Sequence, residues 1–325
     1  MKKVIIISIG FLFISIYLFG QEKVPGIVVG HSQPDTRIYL GSPSLIILSY
    51  GEYLASYQEF GPRFNEENRA RTFIAESRDR GKNWRQISPI DGLWWANLFS
   101  FNGEIYIFGT QQDNGGYGLL VIRKSSDQGK TWSEPVDEEN GLLRIDEEYH
   151  TAPVPMVVHN GRIFRAVEDR NLPEKWGVNF RSLFISAPLD ADLMNAASWS
   201  TSNRIRYNQE WKGRAWLEGN IVITPQDEIV NILRNDFPKG GGRACVVKVS
   251  KYGGQVSFDA ESGFIDFPDG CKKFTIRYDA VTDRYWSLTN YIPEKYEGGN
   301  PELTRNTLAL ISSENLRDWK INDII

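Results

Sequence analysis

The sequence predicts an all-β fold, a β-propeller of four-stranded blades, on three observations. Apolar runs of strand length recur in the order strand, tight turn, strand, strand. The order returns about every 50 to 60 residues, the period of a propeller blade. No stretch carries a sustained 3.6-residue apolar period, so helices should be few. Five units are readable in 325 residues. A β-sandwich would account for the strands, but not for a Trp-ending turn that repeats after the third strand of a unit.

The chain opens Met1-Lys2-Lys3 and continues as an apolar run from Val4 to Phe19, ending at Gly20-Gln21. Two lysines ahead of such a run read as a secretory signal peptide over residues 1–20. The expected location is therefore secreted or periplasmic, with no stable membrane insertion after cleavage. An uncleaved anchor helix is the alternative. Residues 21–325 are read as a single propeller domain.

The first unit takes strands at 40–49, 52–57 and 72–77, and the second at 96–101, 104–109 and 119–124. Asn102-Gly103 turns the second unit's hairpin, because both residues tolerate the positive φ of a type I′ turn. The third unit is centred on Tyr149-His150-Thr151-Ala152-Pro153-Val154-Pro155, with Asn160-Gly161 as its turn and a third strand at 182–186. Strands at 219–224, 229–234 and 244–249 make the fourth unit, and 273–278, 285–289 and 307–311 the fifth. A fourth strand fits after each third one.

Net charge is −4, so no basic field is present to hold nucleic acid by its phosphates. The chain carries 10 Trp, 14 Tyr and 17 Phe, a content that suits both strands and the stacking of sugar rings. Cys245 and Cys271 could pair in an oxidising compartment or remain as two buried thiols. No Cys or His ligand spacing occurs, so neither a metal nor another cofactor is expected.

Ser77-Arg78-Asp79-Arg80-Gly81-Lys82-Asn83-Trp84 and Ser125-Ser126-Asp127-Gln128-Gly129-Lys130-Thr131-Trp132 share the pattern Ser-x-Asp-x-Gly-x-x-Trp. A weaker copy runs from Ser312 to Trp319, with Glu314 in the Asp place and Leu316 in the Gly place. The pattern resembles the Asp-box (BNR) repeat of sialidase-like propellers. Physically it is a turn in which Asp caps backbone N–H groups and Gly supplies positive φ. Its Asp is structural. No Arg-Ile-Pro motif for a sialidase arginine cluster occurs; Arg37-Ile38-Tyr39 is the nearest fragment.

A closer resemblance rests on several segments together. These are Tyr39-Leu40-Gly41-Ser42-Pro43-Ser44 with Ala55-Ser56-Tyr57, Tyr149 to Pro155 with Gly161-Arg162, Trp216-Leu217-Glu218-Gly219-Asn220 with Asn231-Ile232-Leu233-Arg234, and Lys273 to Asp279. They look like the secreted bacterial family of rhamnosyl-glucuronate α-L-rhamnosidases and ulvan or rhamnose–glucuronate lyases. That resemblance implies six or seven blades, against five readable here. In its hydrolase branch it also implies a histidine on the second strand of the first blade, where this chain has Tyr57, which counts against a rhamnosidase.

Elimination across C4–C5 of a uronic acid needs a cation on the carboxylate, a base and an acid. By resemblance to the lyases, His150 and Tyr278 are the expected proton carriers and Arg234 the carboxylate neutraliser. Arg214, Arg165, Glu218 and Asn220 are the supporting substrate-binding candidates. The implied function is thus degradation of rhamnose- and uronate-containing saccharides such as ulvan, by a lyase or, if water leaves, a dehydratase. A rhamnosidase-type glycoside hydrolase and a silent glycan-binding propeller are the alternatives. The expected partner is a carbohydrate.

Overall fold

The computed structural model describes residues 25–62, 64, 71–111, 118–170, 177–237, 241–268, 270 and 272–325. The leader lies outside them, as does Cys271. Cys245 is buried in the fourth unit. Among the described residues no helix is long and apolar enough to cross a membrane.

Every described element is a strand or a three-residue 3₁₀ turn. The first unit is an antiparallel sheet of Tyr39–Ile47, Tyr53–Phe60, Arg71–Ser77 and Arg85–Asp91, hydrogen-bonded in chain order. The second holds Leu93–Phe101, Glu104–Gln111 and Gly118–Ser125. The next strand, Leu142–His150, serves two units. It pairs with the third strand of unit two from Leu142 to Tyr149, and its end also pairs Glu148, Tyr149 and His150 with Arg170, Asp169 and Glu168 of unit three. Unit three continues through Val157–His159, Arg162–Arg170 and Phe180–Pro188, edged by two short strands. Unit four is built on Ala215–Ile223, Ile229–Asp236 and Arg243–Val249. Unit five is Phe274–Asp279, Arg284–Asn290, Leu308–Ser313 and Lys320–Ile324.

The hairpin turns take the backbone their residues allow. Asn102 and Gly103 sit at φ 49° and 80°, Asn160 and Gly161 at 46° and 70°. Each pair of consecutive units shares an apolar core. Leu54, Ile74, Leu93 and Ile107 join the first two units, and Phe108, Tyr149, Val167 and Leu183 the next two. Phe164, Phe184, Trp216 and Leu233 then join the third to the fourth; Val222, Ile232, Ile276 and Ile311 join the fourth to the fifth. A fully buried side chain of this kind contributes about 1.5–3 kcal/mol. The five units make four sheets, since units two and three share one, and among the described residues no such core joins the fifth unit to the first. Residues 25–38 add no strand.

The two intact Asp-boxes are superimposable in their bonding. Asp79 accepts from Asn83 N–H at 2.8 Å, and Ser77 Oγ accepts from Gly81 N–H at 2.8 Å. Asp127 accepts from Thr131 N–H at 2.9 Å, and Ser125 Oγ from Gly129 N–H at 2.8 Å. In both, the Trp indole N–H donates to the Gly carbonyl. The third copy uses a different frame from the one expected. Ser313 and Asn315 take the Ser and Asp roles, with Asn315 Oδ1 accepting from Arg317 and Asp318 N–H. Leu316 stands in the Gly place at φ 65°, and Trp319 donates to its carbonyl. Glu314 instead faces Arg284. The turn is one residue shorter, which shifts the Ser and Asp roles by one while Leu316 and Trp319 keep theirs.

Candidate functional site

The inner strands of units one, two and four each break register over two residues. The shifts fall between Gly41 and Ser44, Trp94 and Asn97, and Leu217 and Asn220. At each bulge one non-glycine residue adopts positive φ: Ser42 at 51°, Trp95 at 49° and Glu218 at 61°. Such backbone costs about 1–3 kcal/mol per residue and is held only by the surrounding structure. In unit three the loop of residues 151–156 replaces the bulge, directly after His150. Gly219 completes the unit-four bulge, where a Cβ would lie 2.2 Å from Asn231 Oδ1, so only glycine fits.

Glu218 is the centre of an ion cluster at the start of this strand. Its carboxylate binds Lys273 Nζ and lies 3.5 Å from Arg234 Nη1. Arg234 also binds Glu302 and lies 3.9 Å from Asp236. Lys272 Nζ reaches Glu302 at 3.1 Å, Arg305 reaches it at 3.6 Å, and Arg214 Nε binds Asp236 at 2.6 Å. Burial pushes the Glu218 carboxyl up, but Lys273 and Arg234 together outweigh it and hold it at about 2. Glu302 moves the other way: burial, then the proton it shares with Asp236, raise it against the pull of Arg234 and Lys272. One guanidinium therefore lies between a carboxyl held below its ordinary value and one held above it. Lys273 remains half exposed, while the Glu218 side chain is 11% exposed.

His150 lies beside this cluster. Its Nδ1 is 2.8 Å from Glu168 Oε2, and its ring sits between Trp95 and Phe180 at centroid distances of 4.6 and 4.9 Å. The other Glu168 oxygen accepts the Gly219 N–H at 3.1 Å. Both His150 and Glu168 are almost fully buried.

The expected site residues divide as follows. Glu218, Arg234, Arg214 and His150 are brought together; Tyr278, Arg165 and Asn220 make no ion pair in this cluster. Lys273 meets Glu218 and Ile276 meets Asn220, so the two inner strands run side by side in one direction. Tyr278 is five residues past Lys273, roughly 16 Å further along at about 3.3 Å per residue. There its hydroxyl donates to Asp283 at 2.6 Å. Tyr278 thus lies at the other end of its strand from the Lys273–Glu218 contact. Arg165 is wholly buried, donating to the carbonyls of Ala152 and Val154; it secures the 151–156 loop. Asn220 is wholly buried too, and its Oδ1 accepts the Ile276 N–H at 3.1 Å. Arg234 faces three carboxylates of its own chain.

Sequence reasoning missed Lys273, Glu302 and Glu168. Lys273 and Glu302 had no local signal, whereas Glu168 was visible at the end of the third unit's hairpin. A cavity of about 1090 Å³ lies at the far, turn end of the strands, lined by Met156, Pro225, Tyr278 and Tyr285. Its lining includes no member of the ion cluster. Among the described residues no group of three or more His, Cys, Asp and Glu side chains is arranged to hold a metal ion.

No family model and no curated protein matches the chain. Solved structures do. A sialidase of Trypanosoma rangeli in complex with the inhibitor DANA aligns at TM-score 0.57 and 14% identity, over 87% of this chain and 48% of that one. A protein of unknown function from Dyadobacter fermentans aligns at 0.55 and 16%, over 89% and 93%. The GH93 α-L-arabinofuranosidase of Fusarium graminearum, in complex with arabinobiose, aligns at 0.53 and 13%, over 88% and 81%. The chain thus spans about half the length of the sialidase. At these identities the likeness shows the fold: sialidase-like and arabinofuranosidase-like propeller architecture.

Proposed function

We propose that the chain is a glycoside hydrolase acting outside the cytoplasm, with its reaction centred on Glu218. The observation that carries this reading is Glu218 and Glu302 on opposite sides of the Arg234 guanidinium. Glycoside hydrolysis asks for two carboxyl groups in opposite protonation states. One stabilises or attacks the developing oxocarbenium ion, and the other protonates the leaving oxygen. Glu218 suits the first role and Glu302 the second. Its structural neighbours include glycoside hydrolases, which supports a carbohydrate substrate.

Five cations (Arg214, Arg234, Lys272, Lys273 and Arg305) face three carboxyl groups (Glu218, Asp236 and Glu302) here. The surplus positive charge favours a sugar carrying an acidic group, such as the uronate of a rhamnosyl-glucuronate oligosaccharide. Hydrolysis is preferred to elimination because Arg234 is already engaged by its own carboxylates.

The test is to incubate the chain with rhamnosyl-glucuronate, arabinan and sialyl oligosaccharides and with ulvan. Released sugar and ultraviolet absorbance of a new double bond are both followed. Saturated sugar released by the wild type and lost in Glu218→Gln is the expected result. A rise in absorbance would overturn hydrolysis in favour of a lyase, and binding without product would leave a glycan-binding propeller.

A further inference from the structure

Two interfaces between consecutive units are built on the same contact. Gln58, on the second strand of unit one, pairs with Gly41, the last residue before its unit's bulge. Its Oε1 accepts the N–H of Trp95, inside the bulge of unit two, at 2.9 Å. Glu168, on the second strand of unit three, pairs with His150, the last residue before that unit's loop. Its Oε1 accepts the N–H of Gly219, inside the bulge of unit four, at 3.1 Å. Both side chains are buried. A neutral amide therefore suffices to tie one unit to the next unit's bulge, and the repeat supplies its own internal control.

The carboxylate must then answer to something the amide does not. That partner is His150, whose Nδ1 meets Glu168 Oε2 at 2.8 Å. A carboxylate oxygen accepts, and this geometry suits Nδ1–H as the donor. We infer that Glu168 is a positioning residue that holds His150 with its proton on Nδ1 while pinning the strained bulge that presents Glu218. One carboxylate thus orients the imidazole and the backbone on either side of the proposed reacting group. The link to catalysis rests on the hydrolase reading; the proton position does not.

The replacement Glu168→Gln separates the two duties. Its amide oxygen can accept from Gly219, as Gln58 does from Trp95, and its NH₂ then faces Nδ1 as a second donor. Nδ1 must give up its proton to accept. The experiment is long-range ¹⁵N–¹H spectroscopy of the full chain, whose three histidines are assigned with His31→Asn and His159→Asn variants. The expected result is a protonated Nδ1 on His150 in the wild type, lost in Glu168→Gln, with cooperative unfolding retained. Glu168→Ala, which frees Nδ1 of its partner, should likewise lose the fixed Nδ1 proton. An unprotonated Nδ1 in the wild type, or an Nδ1 proton kept in Glu168→Gln, overturns the inference. So does a Glu168→Gln chain that cannot fold, since the amide would then be inadequate at this interface. Where sugar release is measurable, kcat in Glu168→Gln should fall by on the order of 10²-fold with KM unchanged. Loss of that effect alone would count against the hydrolase reading and leave the proton position standing.

Discussion

Asn220 Oδ1 accepts the backbone N–H of Ile276 at 3.1 Å, tying the inner strand of the fourth unit to that of the fifth. Ser44 Oγ makes the same bond to Leu98 N–H, at 3.0 Å, between the first unit and the second. Both latches follow the bulge of their own strand. Asn220→Ala would leave a buried N–H without a partner, at a cost of about 1–3 kcal/mol. Urea unfolding should show a lower midpoint with an unchanged slope. An unchanged midpoint would mean that water replaces the bond.

Leu316 occupies a left-handed conformation that would ordinarily call for glycine, yet it is buried in the core between the fourth and fifth units. Relief of backbone strain in Leu316→Gly is worth about 1–2 kcal/mol. Loss of the buried side chain costs about 2–5 kcal/mol. Packing wins, so the variant should be less stable by about 1–3 kcal/mol. A thermal midpoint at or above that of the wild type would reverse this ranking.

Acid should unfold the chain through a small set of carboxylates. Hydrogen bonds from Asn83 hold Asp79 at about 2, and the Thr131 N–H and hydroxyl hold Asp127 at about 2. Glu218 joins them at about 2 because Lys273 and Arg234 overcome its burial. Folded-state values below the ordinary 3.8 and 4.5 mean that their stabilisation is present above that range. It is lost as pH falls toward about 2. Glu302 has the opposite sign, because its raised value favours the fold when protonated. Urea midpoints followed from pH 6 downward should therefore drop below about pH 4.5. Asp79→Asn with Asp127→Asn should flatten that drop; an equally steep fall in the double variant would place the acid sensitivity elsewhere.

The sheets were legible because their signals are local. Asn102-Gly103 and Asn160-Gly161 specify their turns by backbone tolerance alone, and alternating apolar runs specify the strands around them. The bulges were not legible. Ser42, Trp95 and Glu218 share no residue type, and nothing in their neighbours marks a positive φ. Nor was the ion cluster, since Glu218 meets Lys273 and Arg234 meets Glu302 across separations of 55 and 68 residues. The dual role of Leu142–His150 escaped for a related reason: one continuous strand carries no mark where a second partner joins its other edge. Fold periodicity is written within a unit, whereas the site is assembled between units.

Lys273 offers the sharpest test of where the chemistry lies. Its ammonium is the first of the charges that hold the Glu218 carboxyl down against burial. Lys273→Met removes that charge while keeping a long side chain over the strand. The Glu218 carboxyl should then rise from about 2, and more of it will be protonated in mild acid. Activity that requires the ionised form must lose its acid limb at higher pH, so the acid side of the kcat/KM profile should move up by about one unit or more. Tyr278→Phe is the companion variant. Its hydroxyl is bonded to Asp283 at the turn end of the strand, and the profile should stay within about twofold of the wild type. A shifted acid limb in Lys273→Met beside an unchanged Tyr278→Phe locates the reaction at the Glu218 end. The reverse pattern would move it to the cavity lined by Tyr278 and Tyr285, and Glu218 would become a structural ion pair.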